Sequence, residues 1–425
     1  MSGDEREQFT RTWLIHPDLK LKSAKRSAQS AYEEACALAV ALPELSLVGS
    51  DIVPLPRPHP GMLFGSGKRD ELKRLFKENH IELVLIDGPV TPVQQRNLEK
   101  AWSVKILDRT GLILEIFSDR AATREGVLQV EMAALTYQRT RLVRAWTHLE
   151  RQRGGLGFVG GPGETQIEAD RRAIDLQLSK LRQQLSKVVK TRALHRASRA
   201  KIPYPIVALV GYTNAGKSTL FNILTGADVV AKDMLFATLD PCMRSLKTPQ
   251  GTELILSDTV GFVSDLPTEL VAAFRATLEE VLSADLVLHV RDISSEESDV
   301  QAEDVLTILE AIGLSKDVKI LEVWNKVDLL PQDERTAQVN KAERLEHVLV
   351  TSAAKGEGVD TLIEAIEEHI KSDYFKEVIS LSYNEGKKRS WLYQQGLILR
   401  ETILENHSEL EVNWSLKEKA QFESV

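Results

Sequence analysis

Eight residues, Gly211-Tyr212-Thr213-Asn214-Ala215-Gly216-Lys217-Ser218, have the spacing G-x-x-x-x-G-K-[ST] of a phosphate-binding loop. Its glycines let backbone N–H groups converge on phosphate oxygens where a helix begins, with Thr219 in the first turn. Lys217 is placed to reach the β and γ phosphates, and the Ser218 hydroxyl to ligate Mg²⁺. Downstream stands Asp258-Thr259-Val260-Gly261. There Asp258 is expected to hold Mg²⁺ through water, and the Gly261 N–H to meet the γ-phosphate. Between the two motifs lies Phe236-Ala237-Thr238-Leu239. Thr238 is the expected third metal ligand, closing only on a triphosphate. Lys217, Thr238 and Gly261 are thus the groups expected to act at the γ-phosphate.

Base choice follows from Asn325-Lys326-Val327-Asp328. A carboxylate only accepts hydrogen bonds, so Asp328 suits the N1–H and exocyclic amine of guanine, a donor pair that adenine lacks. Asn325 is expected to brace the phosphate loop, the Lys326 stem to cover the ring, and Ser352-Ala353 to bring an N–H near the guanine O6. Four elements in this order favour a GTPase over a P-loop ATPase or kinase. Hydrolysis is less well provided for. Many small GTPases place a water-orienting glutamine just after the D-x-x-G glycine, and here that position is Phe262. Slow intrinsic hydrolysis stimulated by a partner is therefore expected. Asn214 occupies the place where several potassium-activated GTPases put a K⁺ ligand, and it serves equally well as a plain loop brace.

These loops need a frame. From Ile206 the chain alternates strands (Ile206–Val210, Leu254–Leu256, Leu286–Val290, Ile320–Trp324, Val348–Val350) with helical spacing, the pattern of a mostly parallel sheet covered on both faces. Upstream, Trp13–Ile15, Leu83–Ile86 and Lys105–Leu107 read as strands, with helical spacing over 24–42, 69–79 and 92–102, so an N-terminal α/β unit is expected. Residues 120–149 read as one long helix. A second, opened by a capping box at Thr165 and Glu168, runs to about Lys201, and the pair forms an antiparallel hairpin whose tip is the glycine-rich run 154–163. The expected units are 1–120 (α/β), 121–201 (hairpin), 202–372 (GTPase) and 373–425, a small α+β remainder of one helix with a strand or two.

At 425 residues, 43% hydrophobic and 27% charged, the chain is neither disordered nor fibrous. Cys36 and Cys242 cannot build a disulfide framework, and no Cys or His spacing suits zinc. The polar, acidic N-terminus is unlike a secretory leader, and the longest apolar stretch, 35–48, is broken by Pro43 and Glu44. No membrane span and a cytoplasmic location are expected.

A net charge of −8 argues at first against nucleic acid. Residues 139–201, however, carry 15 Lys/Arg against 5 Asp/Glu, which leaves −18 on everything else. Arg151, Arg153, Arg171 and Arg172 flank the tip, where Gly154, Gly155 and Gly157 allow main chain to approach closely. RNA-backbone contact is the expected use, and a solvated helix face the alternative. The acidic remainder repels non-specific RNA while one basic arm accepts a shaped site.

With these residues in place, the chain resembles the HflX family of ribosome-binding GTPases. The resemblance rests on Asp108-Arg109-Thr110-Gly111-Leu112-Ile113-Leu114, on Gly154-Gly155-x-Gly157 with Gly161-Pro162-Gly163-Glu164-Thr165, and on the wording of the phosphate loop and of Asp258–Phe262, over roughly residues 10–370. It implies a GTPase docking on the large ribosomal subunit and its rRNA, the hairpin entering near the peptidyl-transferase region and the GTP form splitting stalled or idle ribosomes. Two departures are a more apolar glycine loop and a loose guanine loop, Ser352-Ala353-Ala354-Lys355. Family members have been linked to ATP as well. Phe64-Gly65-Ser66-Gly67-Lys68 is therefore either a second nucleotide contact on the N-terminal unit or a turn that opens a helix. The formal dinucleotide fingerprint Gly155–Gly160 lacks the preceding strand it needs. Rival functions are a ribosome-assembly GTPase and a GTP-switched adaptor that binds no ribosome. A monomer is expected, because no heptad seam is left over once the hairpin pairs with itself.

Overall fold

The computed structural model describes residues 9–19, 26–152, 162–199, 204–227, 235–236, 242–264, 280–315, 317–371, 374–404 and 406–423. Strands β1 (Thr10–Asp18), β2 (Leu45–Pro54), β3 (Leu83–Ile86) and β4 (Lys105–Asp108) make one parallel sheet in the order β2-β1-β3-β4. Helices α1 (Ala28–Val40), α2 (Ser66–Glu78), α3 (Pro92–Trp102) and α4 (Arg109–Arg120) connect or follow these strands. Successive side chains of a strand point to opposite faces. Leu14 and Leu85 accordingly pack on α1 and α4, while Ile15, Val84 and Ile86 pack on α2 and α3.

Two of these elements are not apparent in the sequence. β2 reads poorly because Gly49, Ser50 and Asp51 interrupt its apolar residues. It survives as an edge strand, and Gly49 is required because the Trp13 ring lies within 2.3 Å of where a Cβ would stand. Helix α4 begins because the Asp108 side chain accepts the Gly111 N–H at 2.9 Å, an N-cap worth about 1 kcal/mol. The one long helix expected over 120–149 is present, but it begins only after α4 has ended at Arg120. Ala121 is extended, and the Thr123 hydroxyl accepts the Gly126 N–H at 3.0 Å to start α5 (Arg124–Gln152).

α5 packs against α6 (Pro162–Arg199), with Arg139 bonded to Asp175 at 2.7 Å and Leu178 and Leu181 buried. α6 starts at Pro162, three residues before the expected cap at Thr165, because proline suits the first helical position. It ends at Arg199, close to the expected Lys201.

The second sheet comprises β5 (Ile206–Gly211), β6 (Cys242–Lys247), β7 (Glu253–Asp258), β8 (Leu286–Asp292), β9 (Lys319–Asn325) and β10 (Val348–Val350), ordered β10-β9-β8-β5-β7-β6. All pairings are parallel except β6 with β7, an edge hairpin that strand–helix alternation does not announce. The first six residues of β8 are buried, as expected for a central strand covered on both faces. Helix α7 (Lys217–Thr225) covers one face together with helix Val359–Lys371, through Phe221, Leu362 and Ile366. The other face shares a continuous core with α1 and α4 of the first sheet, joining Ala208, Val210 and Val287 to Leu38, Ile113 and Phe117.

Residues 374–423 form three antiparallel strands, β11 (Tyr374–Ser382), β12 (Ile398–Ile403) and β13 (His407–Ser415), ordered β11-β13-β12. Two helices pack with them around Leu392, Leu410 and Trp414. This is one strand and one helix more than expected, and the fold class stands: a mixed α/β protein with a parallel-sheet GTPase unit, a helical hairpin and an α+β C-terminal region.

Candidate functional site

The phosphate loop runs from the end of β5 into α7. Gly216 has φ +93°, and a Cβ there would sit 2.2 Å from the Asn325 amide nitrogen, so only glycine fits. Asn214 also takes the left-handed region, at φ +60°. Lys217 is buried and donates to the carbonyls of Gly211 at 3.1 Å and Tyr212 at 2.8 Å. Burial pulls its ammonium down to about 8, against the pull of Asp258 in the other direction. Ser218 donates to Asp258 Oδ2 at 2.8 Å. Among the described residues, the buried Thr213 Oγ1 meets no hydrogen-bond partner, which costs about 1–3 kcal/mol if left so. It points to an acceptor that the loop itself does not supply.

At the other end, Asn325 ties three loops together. Its Nδ2 donates to Ala215 O at 2.9 Å, and its Oδ1 accepts the Ala353 N–H at 2.9 Å and the Thr351 hydroxyl at 3.3 Å. The left-handed Lys326 (φ +65°) sends its ammonium to Asp292 at 2.8 Å. Asp328 accepts the Ser352 hydroxyl at 2.7 Å. The structure thus gathers Asn325, Asp328, Ser352 and Ala353, with Asn325 bonded to the phosphate loop at Ala215.

The segment after β7 closes onto the loop. Thr213 N–H donates to Phe262 O at 2.7 Å, and Phe262 N–H to Gly211 O at 3.1 Å. A Cβ on Gly261 would meet Thr213 Cα at 2.9 Å and Lys217 Nζ at 3.1 Å, so the chain passes against the lysine at a place only glycine allows. Thr259 is instead a brace, its hydroxyl donating to Leu209 O at 2.6 Å, and Val260 is core. Phe236 is buried. Ala237 and Thr238 lie outside the described residues, as do Arg153, Gly154, Gly155 and Gly157 and the side chain of Arg151. Arg171 and Arg172 are exposed on α6, the latter paired with Glu168 at 3.0 Å.

Four family descriptions match in chain order: "GTP-binding GTPase N-terminal" over 29–118, "GTP-binding GTPase Middle Region" over 120–199, "50S ribosome-binding GTPase" over 206–326 and "HflX C-terminal domain" over 337–423. GTPase HflX of Magnetococcus marinus is 49% identical over 348 residues, 82% of this chain and 79% of that one. GTPase HflX of Escherichia coli is 44% identical over 351 residues, 83% and 82% of the two chains. A crystal structure of the SsGBP–GDP complex superposes with a TM-score of 0.49 at 24% identity, covering 85% of this chain and 98% of that one.

The chain belongs to the HflX family of GTPases.

It is accordingly a GTP-binding protein and a GTP hydrolase. The family's C-terminal description reaches residue 423, so the last fifty residues are a part of this HflX architecture that the motifs, ending near 370, do not reveal. Among the described residues, no helix is long and apolar enough to cross a membrane. The oxygens of Ser218 and Asp258, side by side beneath the loop, are the hard donor set that Mg²⁺ takes.

One set of residues is missing from the motif reading. The Tyr212 hydroxyl in the phosphate loop donates to the Glu34 carboxylate and accepts the Ser264 N–H at 2.7 Å. Burial and Glu34 together push that phenol well up. Ser264 also donates to Glu34 at 2.9 Å, and its carbonyl and hydroxyl accept from Arg109 at 3.1 and 3.0 Å. Arg109 pairs in addition with Glu34 and with Asp87 at 2.7 Å. Burial alone would raise the Asp87 carboxyl, yet His16 at 2.7 Å and Arg109 hold it below its ordinary range. Arg26 completes the cluster, bonding Glu34 at 2.8 Å and Glu297. The one signal in the sequence is the aromatic hydroxyl of Tyr212 inside a phosphate loop, which has to find a partner once buried.

Proposed function

We propose that this HflX-family GTPase docks on the large ribosomal subunit and its rRNA through the basic hairpin, and that its GTP form splits stalled or idle ribosomes. The observation that carries the reading is the family match named for 50S ribosome binding, in a chain whose positive charge is concentrated on residues 139–201. The pair of Arg172 with Glu168 is exposed and worth only a few tenths of a kcal/mol, so the guanidinium is readily exchanged to phosphate.

At the nucleotide, Lys217 leaves the loop carbonyls for the β and γ phosphates, and the N–H groups of 211–218 cradle them. Ser218, Asp258 and Thr238 would hold Mg²⁺, which neutralises phosphate charge when bound. The Gly261 N–H meets the γ-phosphate, Asp328 selects guanine, and the Ala353 N–H faces its O6. Phe262 is buried and carries no hydrogen-bonding group, so hydrolysis is slow until a ribosomal contact improves the positioning of water. Potassium enters through Asn214 alone, and equal hydrolysis rates in potassium and sodium remove it. ATP at Gly65–Lys68 rests on the resemblance. Gly65 caps α2, Lys68 pairs with Glu71 at 2.7 Å, and an ATP titration that GTP does not compete away is the result it requires.

The units 1–120, 121–201, 202–372 and 373–425 act as one monomeric protein in this scheme. The test is co-sedimentation with ribosomes of the double variant Arg151→Glu, Arg153→Glu. Binding falls about tenfold or more and loses part of its salt dependence, while GTP affinity holds. Undiminished co-sedimentation sinks the hairpin as the ribosome-binding element.

A further inference from the structure

The phosphate loop and the segment after β7 meet at a parallel bridge between Tyr212 and Phe262. Across it the Thr213 N–H donates to Phe262 O at 2.7 Å, and the Phe262 N–H to Gly211 O at 3.1 Å. The Phe262 ring is buried in the apolar core with Val260 and Val263, so this side of the bridge offers the nucleotide no polar side chain. On the other side, Tyr212 engages its hydroxyl with Glu34 and Ser264. That leaves Thr213. Its side chain lies against Gly261, where an added Cβ would meet Thr213 Cγ2 at 2.8 Å and Lys217 Nζ at 3.1 Å. The methyl of Thr213 and the ammonium of Lys217 therefore converge on Gly261, and the Thr213 hydroxyl is carried on the same Cβ as that methyl. Thr213 is only 6% exposed, and its Oγ1 meets no hydrogen-bond partner among the described residues.

A buried, unpaired hydroxyl is unfavourable, and valine would fill the same place without that cost. The other parts of the residue already have their uses, the N–H on the Phe262 carbonyl and the methyl on Gly261. What the hydroxyl adds is one donor and two acceptor lone pairs close to the Lys217 ammonium. We infer that Thr213 is a catalytic residue for GTP hydrolysis, its hydroxyl donating a hydrogen bond to an oxygen of the γ-phosphoryl group. The inference rests on the reading of Lys217 and Gly261 as groups that meet the γ-phosphate. In the transition state negative charge is spread over the three equatorial oxygens of that group, so a donor fixed there beforehand stabilises it. Water oxygen bonds to the γ-phosphorus as the bond to the β–γ bridging oxygen breaks. The water's proton leaves with the phosphate, and the threonine keeps its own. The polar group that Phe262 does not supply is thus carried by the residue hydrogen-bonded to it across the bridge.

The experiment is single-turnover hydrolysis of pre-bound GTP by the full chain carrying Thr213→Val, alongside GDP affinity and thermal unfolding without nucleotide. Valine keeps the branched Cβ and the contact with Gly261. Hydrolysis falls about tenfold, and GDP affinity stays within about twofold because GDP lacks the γ-phosphate. The melting temperature is unchanged or higher, since no hydrogen bond within the protein is lost. Thr213→Ser, which keeps the hydroxyl and loses the methyl, hydrolyses faster than Thr213→Val. Should Thr213→Val not fold, Thr213→Ala carries the same expectation for rate and GDP affinity. A rate within about twofold of the parent overturns the proposal. So does a GDP affinity that falls in step with the rate, a lower melting temperature, or a serine variant as slow as the valine one. Lys217→Ala separates this role from the reading beneath it. If Lys217→Ala still binds nucleotide, the site itself falls; if it does not, while Thr213→Val hydrolyses at the parental rate, the site stands and the role of the hydroxyl is lost.

Discussion

The base end and the phosphate end of the nucleotide site are held in different ways. Asn325, Lys326, Asp328, Ser352 and Ala353 are fixed by one another and by Ala215 and Asp292, all within the second sheet and its loops. At the phosphate end, Tyr212, Ser264 and Phe236 are held by Glu34, Arg109 and Arg120, each more than a hundred positions away in the chain. Under the proposed function, guanine selection would then belong to the GTPase unit alone, while the groups proposed to act at the γ-phosphate lean on contacts from the rest of the protein.

The difference can be broken or sharpened by substitution. The largest effect belongs to Lys217→Ala, which removes the one buried cation of the loop and abolishes nucleotide binding by equilibrium titration; retained binding would undo the site at both ends. Asp328→Ala acts on the base end only. GTP affinity falls on the order of 100-fold and the preference over ATP disappears, since two charge-assisted hydrogen bonds are lost. An unaltered preference would place base selection elsewhere.

Acidity tests the phosphate end. Burial holds the Lys217 ammonium near 8 in the nucleotide-free protein, and phosphates favour its charged form, so its pKa is higher in the complex. GDP affinity is then full below pH 8 and falls as pH rises through it, by about tenfold between pH 7 and 9. A flat profile contradicts the buried lysine. The smallest effect on binding is expected for Glu34→Gln, which leaves Arg26 and Arg109 short of a buried partner. It lowers thermal stability by about 3 kcal/mol and alters hydrolysis, with GDP affinity held within about twofold. A loss of affinity comparable to that of Asp328→Ala would erase the distinction between the two ends.

This division also decides what the sequence discloses. The base end and the phosphate loop are local in sequence, each a loop that follows a strand, so their motifs can be read without knowing the fold. The Glu34–Arg109–Ser264 cluster is not local. Arg109 stands in a recognisable family motif, yet nothing in its neighbourhood says that its fork closes on a segment 155 positions away. The edge strands β2 and β6 are hidden for a related reason: with one neighbour each they need no unbroken apolar run, so Gly49 opposite Trp13 and Arg244 within β6 disguise them. Helix α4 is hidden by its own composition, since Leu112-Ile113-Leu114 reads as easily as strand until the Asp108 cap is seen.

The proposed coupling of GTP on this protein to the state of the ribosome is open to a direct test. Light scattering of idle ribosomes mixed with the full chain tests it most directly. The account predicts a fall in scattering with GTP or a non-hydrolysable analogue, absent with GDP and absent for the Arg151→Glu, Arg153→Glu variant. Scattering that stays constant in GTP, from ribosomes that demonstrably carry the bound protein, would contradict it.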